Sequence, residues 1–310
     1  MPVSGSPASS IASVSLGLAA ATTWGGSDFA GGIGARRHPA MLVVASGHLV
    51  TLLLLLVWCG LGHFALPHRT EFLEGAIGGI EGSLALVLFY RALAMGAMGL
   101  TAALTGLLTA LVPVLYGLWS EGLPAPKALA GLVLGGVAIW LVCYSGSHSP
   151  GHNTPPLALF LGAISGAGFG LQLILFKLAA NDGVLWALTS ARIGGVLGMA
   201  AILAFVWPRQ TPGETGGQIE KRNPESRIPG SRIRSGFWRI GILAGILDTM
   251  GNLGYTLAAH TGRLDLAAMV SSLYPGFTIL LAAVVLRERP TGRQALGMVV
   301  ALASVVLLSL

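Results

Sequence analysis

The chain has 310 residues and a formal net charge of +6, yet only 10% of its residues are charged and 54% are hydrophobic. Water-soluble domains carry about 25% charged residues, so this composition excludes an ordinary soluble fold. The mean hydropathy of +0.76 indicates a chain that lies mostly in lipid.

Ten stretches are long and apolar enough to cross a bilayer. A membrane-spanning helix needs about 20 apolar residues, and continuous runs of this length predict helices rather than barrel strands. The predicted spans are 11–31, 40–61, 75–95, 98–119, 126–144, 157–179, 186–207, 237–258, 264–286 and 292–310. We therefore expect an all-α, multi-pass integral protein of the cell membrane with ten transmembrane helices.

The first span carries a polar face. Trp24, Ser27 and Asp28 share one side of the helix through their i, i+3 and i+4 spacing. In the sixth span Phe169 and Gln172 occupy the positions of Trp24 and Ser27 at a shift of 145 residues, without the acid. An aromatic wall with a few polar groups suits a small amphiphilic ligand, while core packing is the alternative reading of the aromatics.

The third and fourth spans add further polar residues. Glu81 lies ten residues before Arg91, and the two form either a structural ion pair or a substrate clamp. Thr105 in the fourth span overlays Ser272 of the ninth, and both hydroxyls either face a cavity or bond within helix packing. His48 is the lone histidine of the second span, which favours a packed residue over a ligand.

The eighth span has the clearest polar stripe. Asp248, Asn252 and Tyr255 stand at i, i+4 and i+7, which places them on one helix face. A charge at mid-membrane costs about 2.5–3.5 kcal/mol on insertion scales, so such a stripe indicates a lined cavity. Hydrogen bonds to neighbouring helices are the alternative for Asn252 and Tyr255.

The chain repeats itself. Glu81 and Glu121 are matched, 167 residues later, by Asp248 and Glu288. We expect one five-helix repeat over 11–144, a linker at 145–156, and a second five-helix repeat over 157–310 that contains a polar, basic loop at 208–236. Because five is odd, the second repeat enters the membrane from the opposite side, which gives inverted topology.

Other site classes find no support in the sequence. Cys59 and Cys143 both lie in apolar spans and suggest neither a disulfide nor a metal site. No phosphate-binding loop of the GxxxxGK[ST] type occurs, and the basic residues lack a nucleic-acid-binding motif. We expect no cofactor, no metal and no nucleic-acid partner; a small-molecule substrate and the lipid bilayer are the expected partners, and a homodimer is left open.

Three segments resemble a known family. They are LAAATTWGGSDFAGG in the first span, YRALAMGAMGLTAALTGLLTALVPVLYGLWSEG in the third and fourth, and SSLYPGFTILLAAVVLRERPTGRQALG in the ninth and tenth. They are similar to EamA repeats of the drug/metabolite transporter superfamily, and the second copy matches better through Pro275, Glu288, Pro290 and Gly297. The resemblance implies a ten-helix carrier that exports small organic metabolites, with both termini in the cytoplasm.

Charge counting disagrees with that orientation. A cytoplasmic N-terminus places the basic loop 208–236 outside, whereas basic loops normally stay in the cytoplasm. The orientation therefore stays open. The sequence favours a secondary transporter by alternating access, with proton coupling through buried carboxylates as a hypothesis; an intramembrane enzyme and a non-transporting scaffold or channel subunit are the alternatives.

Overall fold

A computed structural model describes residues 7–35, 40–95, 98–144, 156–206, 233–285 and 292–309. These residues form eleven α-helices and one short 3-10 turn at Ala180–Asp182. The helices are α1 (Pro7–Ala35), α2 (Ala40–Leu61), α3 (Arg69–Met95), α4 (Met98–Ser120), α5 (Pro126–Tyr144), α6 (Pro156–Ala179), α7 (Val184–Val206), α8 (Ile233–Thr261), α9 (Leu264–Ser271), α10 (Tyr274–Val285) and α11 (Gly292–Ser309). No strand occurs in these ranges, so the all-α class is confirmed.

Several helices are suited to a membrane. Among the described residues, four segments are long and apolar enough to cross one: Met41–Leu61, Arg69–Phe89, Pro156–Asp182 and Val184–Ile202. Three more helices are apolar but shorter: Leu104–Ser120, Pro126–Leu141 and Ala295–Leu308. The chain is a multi-pass membrane protein, and the count of ten spans stays a prediction.

The predicted ninth span, 264–286, is two helices. α9 ends at Ser271 and α10 begins at Tyr274. Pro275 accounts for the break, because proline has no N–H to donate and its ring clashes with the carbonyl one turn back; it is tolerated in the first turn of a new helix. Pro113 lies inside α4, which nevertheless continues to Ser120.

Other helix boundaries also differ from the prediction. α1 and α3 begin earlier, at Pro7 and Arg69, because their first turns are polar and carry little hydropathy signal. α8 begins at Ile233, inside the predicted loop 208–236. The rest of that loop and the linker before Pro156 lie outside the described residues.

The helices pack in pairs that match between the two halves. α1 packs on α8, as α6 packs on α3; α2 packs on α8, as α7 packs on α3; and α1 packs on α9 and α10, as α6 packs on α4. α5 packs on α11, and α2 contacts α7. These pairs are preserved when α1–α5 are exchanged for α6–α11, whereas α4 packs on α5 much more extensively than α10 packs on α11.

Glycines bring these pairs close together. A methyl group on Gly79 of α3 would clash with the backbone carbonyl of Ala191 in α7, and one on Gly194 would clash with that of Ala76. Gly47 of α2 makes the equivalent backbone approach to Gly245 of α8. Small residues of this kind let membrane helices pack backbone to backbone, and they fix which faces of α3, α7 and α8 meet.

Large apolar side chains remain on the outside of the bundle. α2 exposes Leu53, Leu54, Val57 and Trp58, and other helices do the same. In water a surface of this kind would drive association, whereas lipid tails solvate it. α9, by contrast, is buried at every residue and contacts α1, α4, α5, α6 and α8.

Candidate functional site

Two adjoining cavities lie inside the helix bundle, and we call them together the central cavity. The larger measures about 130 Å³ and the smaller about 90 Å³, counted as space open to the centre of a water molecule. Asp28, His48, Leu86 and Asp248 line both. One water needs roughly 10–15 Å³ of such space, so the larger cavity has room for several waters or a small organic molecule.

A hydrogen-bonded chain of side chains crosses the cavity wall from α7 through α8 to α1. Arg192 forms an ion pair with Asp248 through Nη2, which also donates to Thr249 Oγ1 at 3.0 Å. Asn252 Nδ2 donates to the same Asp248 oxygen at 3.2 Å, and Trp24 Nε1 donates to Asn252 Oδ1 at 3.2 Å. Asp248 thus accepts from both Arg192 and Asn252, and Trp24 is connected to it through Asn252.

The ion pair is buried unevenly. The side chain of Arg192 is 7% exposed, whereas that of Asp248 is 34% exposed. A buried charge is tolerated only when it is paired and hydrogen-bonded. The buried charge of Arg192 therefore depends on Asp248 for its compensation, whereas Asp248 is also in contact with the cavity space.

Asp28 is a second carboxylate of the wall, and it differs from Asp248 in its partners. It is an exposed residue, and it lines both cavities. Within the described part of the chain, no lysine, arginine or histidine forms a salt bridge with it. A free carboxylate in a largely apolar cavity is a functional candidate by default.

Aromatic rings form much of the rest of the wall. Phe89 of α3 and Phe169 of α6 meet edge to face with centroids 6.2 Å apart. Trp24 of α1 meets Tyr274 of α10 edge to face with centroids 6.2 Å apart, and Phe176 of α6 also lines the cavity. The cavity therefore combines aromatic walls with a small set of charged groups.

The cavity contains many of the residues predicted from the sequence. Trp24, Asp28, Phe169, Gln172, Asp248 and Asn252 line its larger part. Ser27 lines the smaller part, where its hydroxyl donates to the carbonyl of Ala244 at 2.9 Å. Their contribution to ligand binding stays a prediction.

Four predicted residues lie outside the cavity wall. Tyr255 is fully buried behind Trp24, with the two rings stacked at 6.0 Å, and its hydroxyl donates to Leu173 O at 2.8 Å. Thr105 is buried and donates to the carbonyl of Gly162 at 2.9 Å, which joins α4 to α6. These two side chains form contacts between helices, which is the alternative that the sequence left open.

Ser272 and Glu81 complete that group of four. Ser272 is buried at the end of α9, and its hydroxyl has no hydrogen-bond partner among the described residues. The side chain of Glu81 extends from α3 to Gly168 of α6, so that a methyl group added to Gly168 would clash with Glu81 Oε1. Glu81 Oε2 is buried and has no hydrogen-bond partner in the described ranges. The side chain of Arg91 lies outside the described residues.

Besides apolar and aromatic residues such as Leu86 and Phe89, the sequence does not predict two basic residues of the wall. His48 was expected to be a packing residue, but it lines both parts of the cavity. Arg192 is one of the charged residues inside an apolar span, which is itself a signal of function, but it is not among the site residues that the sequence predicts. What the sequence lacked was any indication that α2 and α7 face the same space as α8.

A group of charged residues holds together the ends of α4, α6 and α8; we call Glu121, Lys177, Arg263 and Asp265 the closing cluster. Glu121, just after α4, forms an ion pair with Lys177 near the end of α6. Its carboxylate also accepts the backbone N–H of Leu264 at 3.1 Å. One side chain thus joins α4 to α6 and to the start of α9.

Arg263 provides the second half of this cluster. It donates to the carbonyl of Glu121 at 3.2 Å and to that of Gly122. It also forms a two-pronged ion pair with Asp265, at 3.1 and 2.8 Å, and the Asp265 side chain is 0% exposed. The connection between α8 and α9 is therefore fixed to the end of α4.

The closing cluster and the smaller cavity lie toward opposite ends of the bundle. The cluster sits where α4, α6 and α8 end, which is also the end at which α1 begins. The smaller cavity is walled by residues 27–31 of α1 and 43–48 of α2, next to the connection between these helices. The central cavity thus extends away from the end that the closing cluster holds together.

One surface group could bring metal ligands together. His68, Glu71 and Asp182 place one ligand atom each within 4.8 Å of one another. The His68 side chain is 83% exposed and already pairs with Asp182 through Nδ1 at 2.6 Å. Exposed groups of this composition are common without an ion, so we assign it no metal.

Comparisons with known proteins agree with this architecture. The model of the EamA-like transporter family matches residues 156–310, half of the chain. A solved structure titled only as the crystal structure of a protein superposes with a TM-score of 0.70 at 17% identity, covering 96% of this chain and 98% of that one; this likeness supports the fold alone. No curated protein matches the sequence. The chain belongs to the EamA-like transporter family, within the drug/metabolite transporter superfamily.

Proposed function

We propose that the protein is a secondary transporter, and specifically an exporter, of small organic metabolites across the cell membrane. The observation that carries the proposal is the central cavity, in which side chains from both halves of the chain converge on charged groups at mid-bundle. Membrane carriers bind their substrates at such a midpoint, between two structural repeats. The family membership supports a transporter of small molecules in general.

The matched packing of the halves supports alternating access. We propose that 11–144 and 157–310 are inverted repeats, joined by the linker 145–156, because exchanging the halves preserves the helix pairs described above. Two similar bodies can then rock about the central cavity and expose it first to one side and then to the other. Tight glycine contacts join α3 to α7, as they join α2 to α8, across the two repeats. The bodies that rock are therefore α3 with α6 and α7, and α8 with α1 and α2.

The closing cluster supports one-sided access in this conformation. Its ion pairs connect α4 and α6 to the α8–α9 connection on one side of the cavity. At the matched positions of the first half, glycine and methionine occur at 32, 96 and 98 in place of Lys177, Arg263 and Asp265. Glu288, the match of Glu121, therefore has no basic residue at the positions equivalent to Lys177 and Arg263, and we propose that the transporter closes its other side without these ion pairs.

The carboxylate of Asp28 in the cavity wall supports a proposal of proton coupling. Removing an ionised carboxylate from water costs several kcal/mol, and binding a proton removes that cost. Asp28, which has no ion-pair partner among the described residues, therefore changes charge most readily when the cavity loses water as it closes. We propose that this exchange couples export to proton entry.

Transport by the purified full-length chain in proteoliposomes tests the proposal. A panel of labelled metabolites is presented with and without a pH gradient, for the wild-type chain and for Asp28→Asn and Asp248→Asn. Lys127→Gln removes a charge from an exposed position at the start of α5 and is the matched control. Absence of any transport refutes the function, and pH dependence that survives in both carboxylate variants refutes the coupling.

A further inference from the structure

We propose that the substrate is an organic monocation, namely a protonated amine carried on an apolar or aromatic body, and that Asp28 binds its ammonium group. This inference rests on the proposed transport function and assigns the substrate class of the same cavity. It depends on the charge balance of the wall and on the chemistry of the surrounding rings.

The charge balance leaves one negative charge free. Arg192 and Asp248 neutralise each other in an ion pair. Asp28 has no ion-pair partner among the described residues, and His48 adds no formal charge at neutral pH. A monocation beside Asp28 is the ligand that brings the occupied cavity to neutrality, which matters because charge is costly in a low-dielectric space.

The rings supply the second part of the recognition. Trp24, on the same face of α1 as Asp28, lines the cavity together with Phe89 of α3 and Phe169 of α6. Aromatic faces attract an ammonium group electrostatically and also bury an apolar body. An amine with a phenyl or alkyl chain satisfies both Asp28 and these rings.

Anions and zwitterions fit the same wall poorly. The cationic side chain described in the wall, Arg192, already uses Nη2 for Asp248 and Thr249, and the side chain is 7% exposed. A substrate carboxylate would therefore have to displace Asp248 or lie beside two like charges. Both alternatives raise the free energy of the bound state.

Binding of four ligands that share one phenyl body tests the inference without requiring transport. The ligands are phenethylamine, phenylalanine, hydrocinnamate and 2-phenylethanol, which are cationic, zwitterionic, anionic and neutral. Affinity is measured by titration calorimetry on the full-length chain in lipid nanodiscs. We expect phenethylamine to bind at least tenfold more tightly than each of the other three.

Variants then assign the preference to one side chain. We expect Asp28→Asn to reduce the affinity for phenethylamine at least tenfold and to leave that for 2-phenylethanol within twofold, while Asp28→Glu retains the preference. Size-exclusion profiles establish that each variant is folded, and Lys127→Gln should bind like wild type. Because the four ligands are compared on the wild-type chain, a misfolded variant does not remove the test.

Several results would overturn the inference. Equal or tighter binding of phenylalanine or hydrocinnamate, no binding of phenethylamine at millimolar concentration, or an unchanged preference in Asp28→Asn would each do so. Failure of the proposed function looks different, since the amine would then bind with the expected preference while proteoliposomes move no solute.

Discussion

The pair formed by Arg192 and Asp248 allows a prediction in which the two single substitutions have unequal effects. The arginine is 7% exposed and the aspartate 34% exposed. Asp248→Asn leaves a guanidinium almost without water, whereas Arg192→Gln leaves a carboxylate that the cavity partly hydrates. The aspartate substitution should therefore destabilise the protein more.

The expected magnitudes follow from this difference in burial. Removing one member of a fully buried pair costs about 3–5 kcal/mol, and exposed pairs contribute about 0–1 kcal/mol. We place Asp248→Asn at about 3 kcal/mol or more, near the buried limit, and Arg192→Gln at about 2 kcal/mol, between the limits. The double variant removes both charges and should cost less than Asp248→Asn alone, because no uncompensated ion remains.

Unfolding in mixed lipid–detergent micelles, titrated with a denaturing detergent and followed by circular dichroism, measures these costs. The coupling free energy of the two substitutions comes from the double-mutant cycle, and residues in contact usually couple by about 0.5–3 kcal/mol. Lys127→Gln, at an exposed position, should change the free energy of unfolding by less than about 0.5 kcal/mol.

Additive effects of the two substitutions would refute this reasoning. So would a larger cost for Arg192→Gln than for Asp248→Asn, because it would mean that the aspartate, rather than the arginine, depends on the pair for its burial.

Three further predictions concern packing, gating and pH. Gly79→Ala should lower the free energy of unfolding by about 1–3 kcal/mol or more through overpacking, while Gly136→Ala, with no atom within 4 Å, should be neutral or stabilising; the same detergent titration compares them. Lys177→Met removes the cation that pairs with α4 in the closing cluster and should increase the labelling of cysteines placed in the central cavity from that end; unchanged labelling would contradict a gating role. The Asp182 carboxylate hydrogen bond raises the pKa of His68 above its usual range, so the stability from this contact is complete below about pH 6.5 and disappears as pH rises through the higher folded pKa. Unfolding midpoints at several pH values should lose this dependence in Asp182→Asn, and a persistent dependence would assign it to another group.

The helices of the bundle could largely be predicted from hydropathy, because lipid requires backbone groups to bond within a helix. The exceptions have local causes. The break between α9 and α10 was missed although Pro275 was visible, because apolar residues continue on both sides of it. The early starts of α1 and α3 were missed because polar first turns extend a helix without adding to its hydropathy.

The residues of the cavity could likewise be predicted only in part. Asp28, Asp248 and Asn252 were predicted because an acid or amide inside an apolar span is itself unusual. Tyr255 and Thr105 were also candidates for the cavity wall, but their hydroxyl groups bond to the backbone of neighbouring helices. Helical periodicity gives the direction of a side chain around its own axis, and it does not tell whether a neighbouring helix or an open space lies in that direction.

The sequence by itself determined that the chain is helical, apolar and marked by acids at mid-span, since these properties depend on residues close together along the chain. Only the tertiary structure decided that Asp248 pairs with Arg192, that Asp28 is left without an ion-pair partner in the described ranges, and that Lys177 reaches Glu121. These pairings depend on which helix faces meet. The physical reason is that glycine contacts between distant helices set that geometry, and no local pattern in the chain records which glycines will meet.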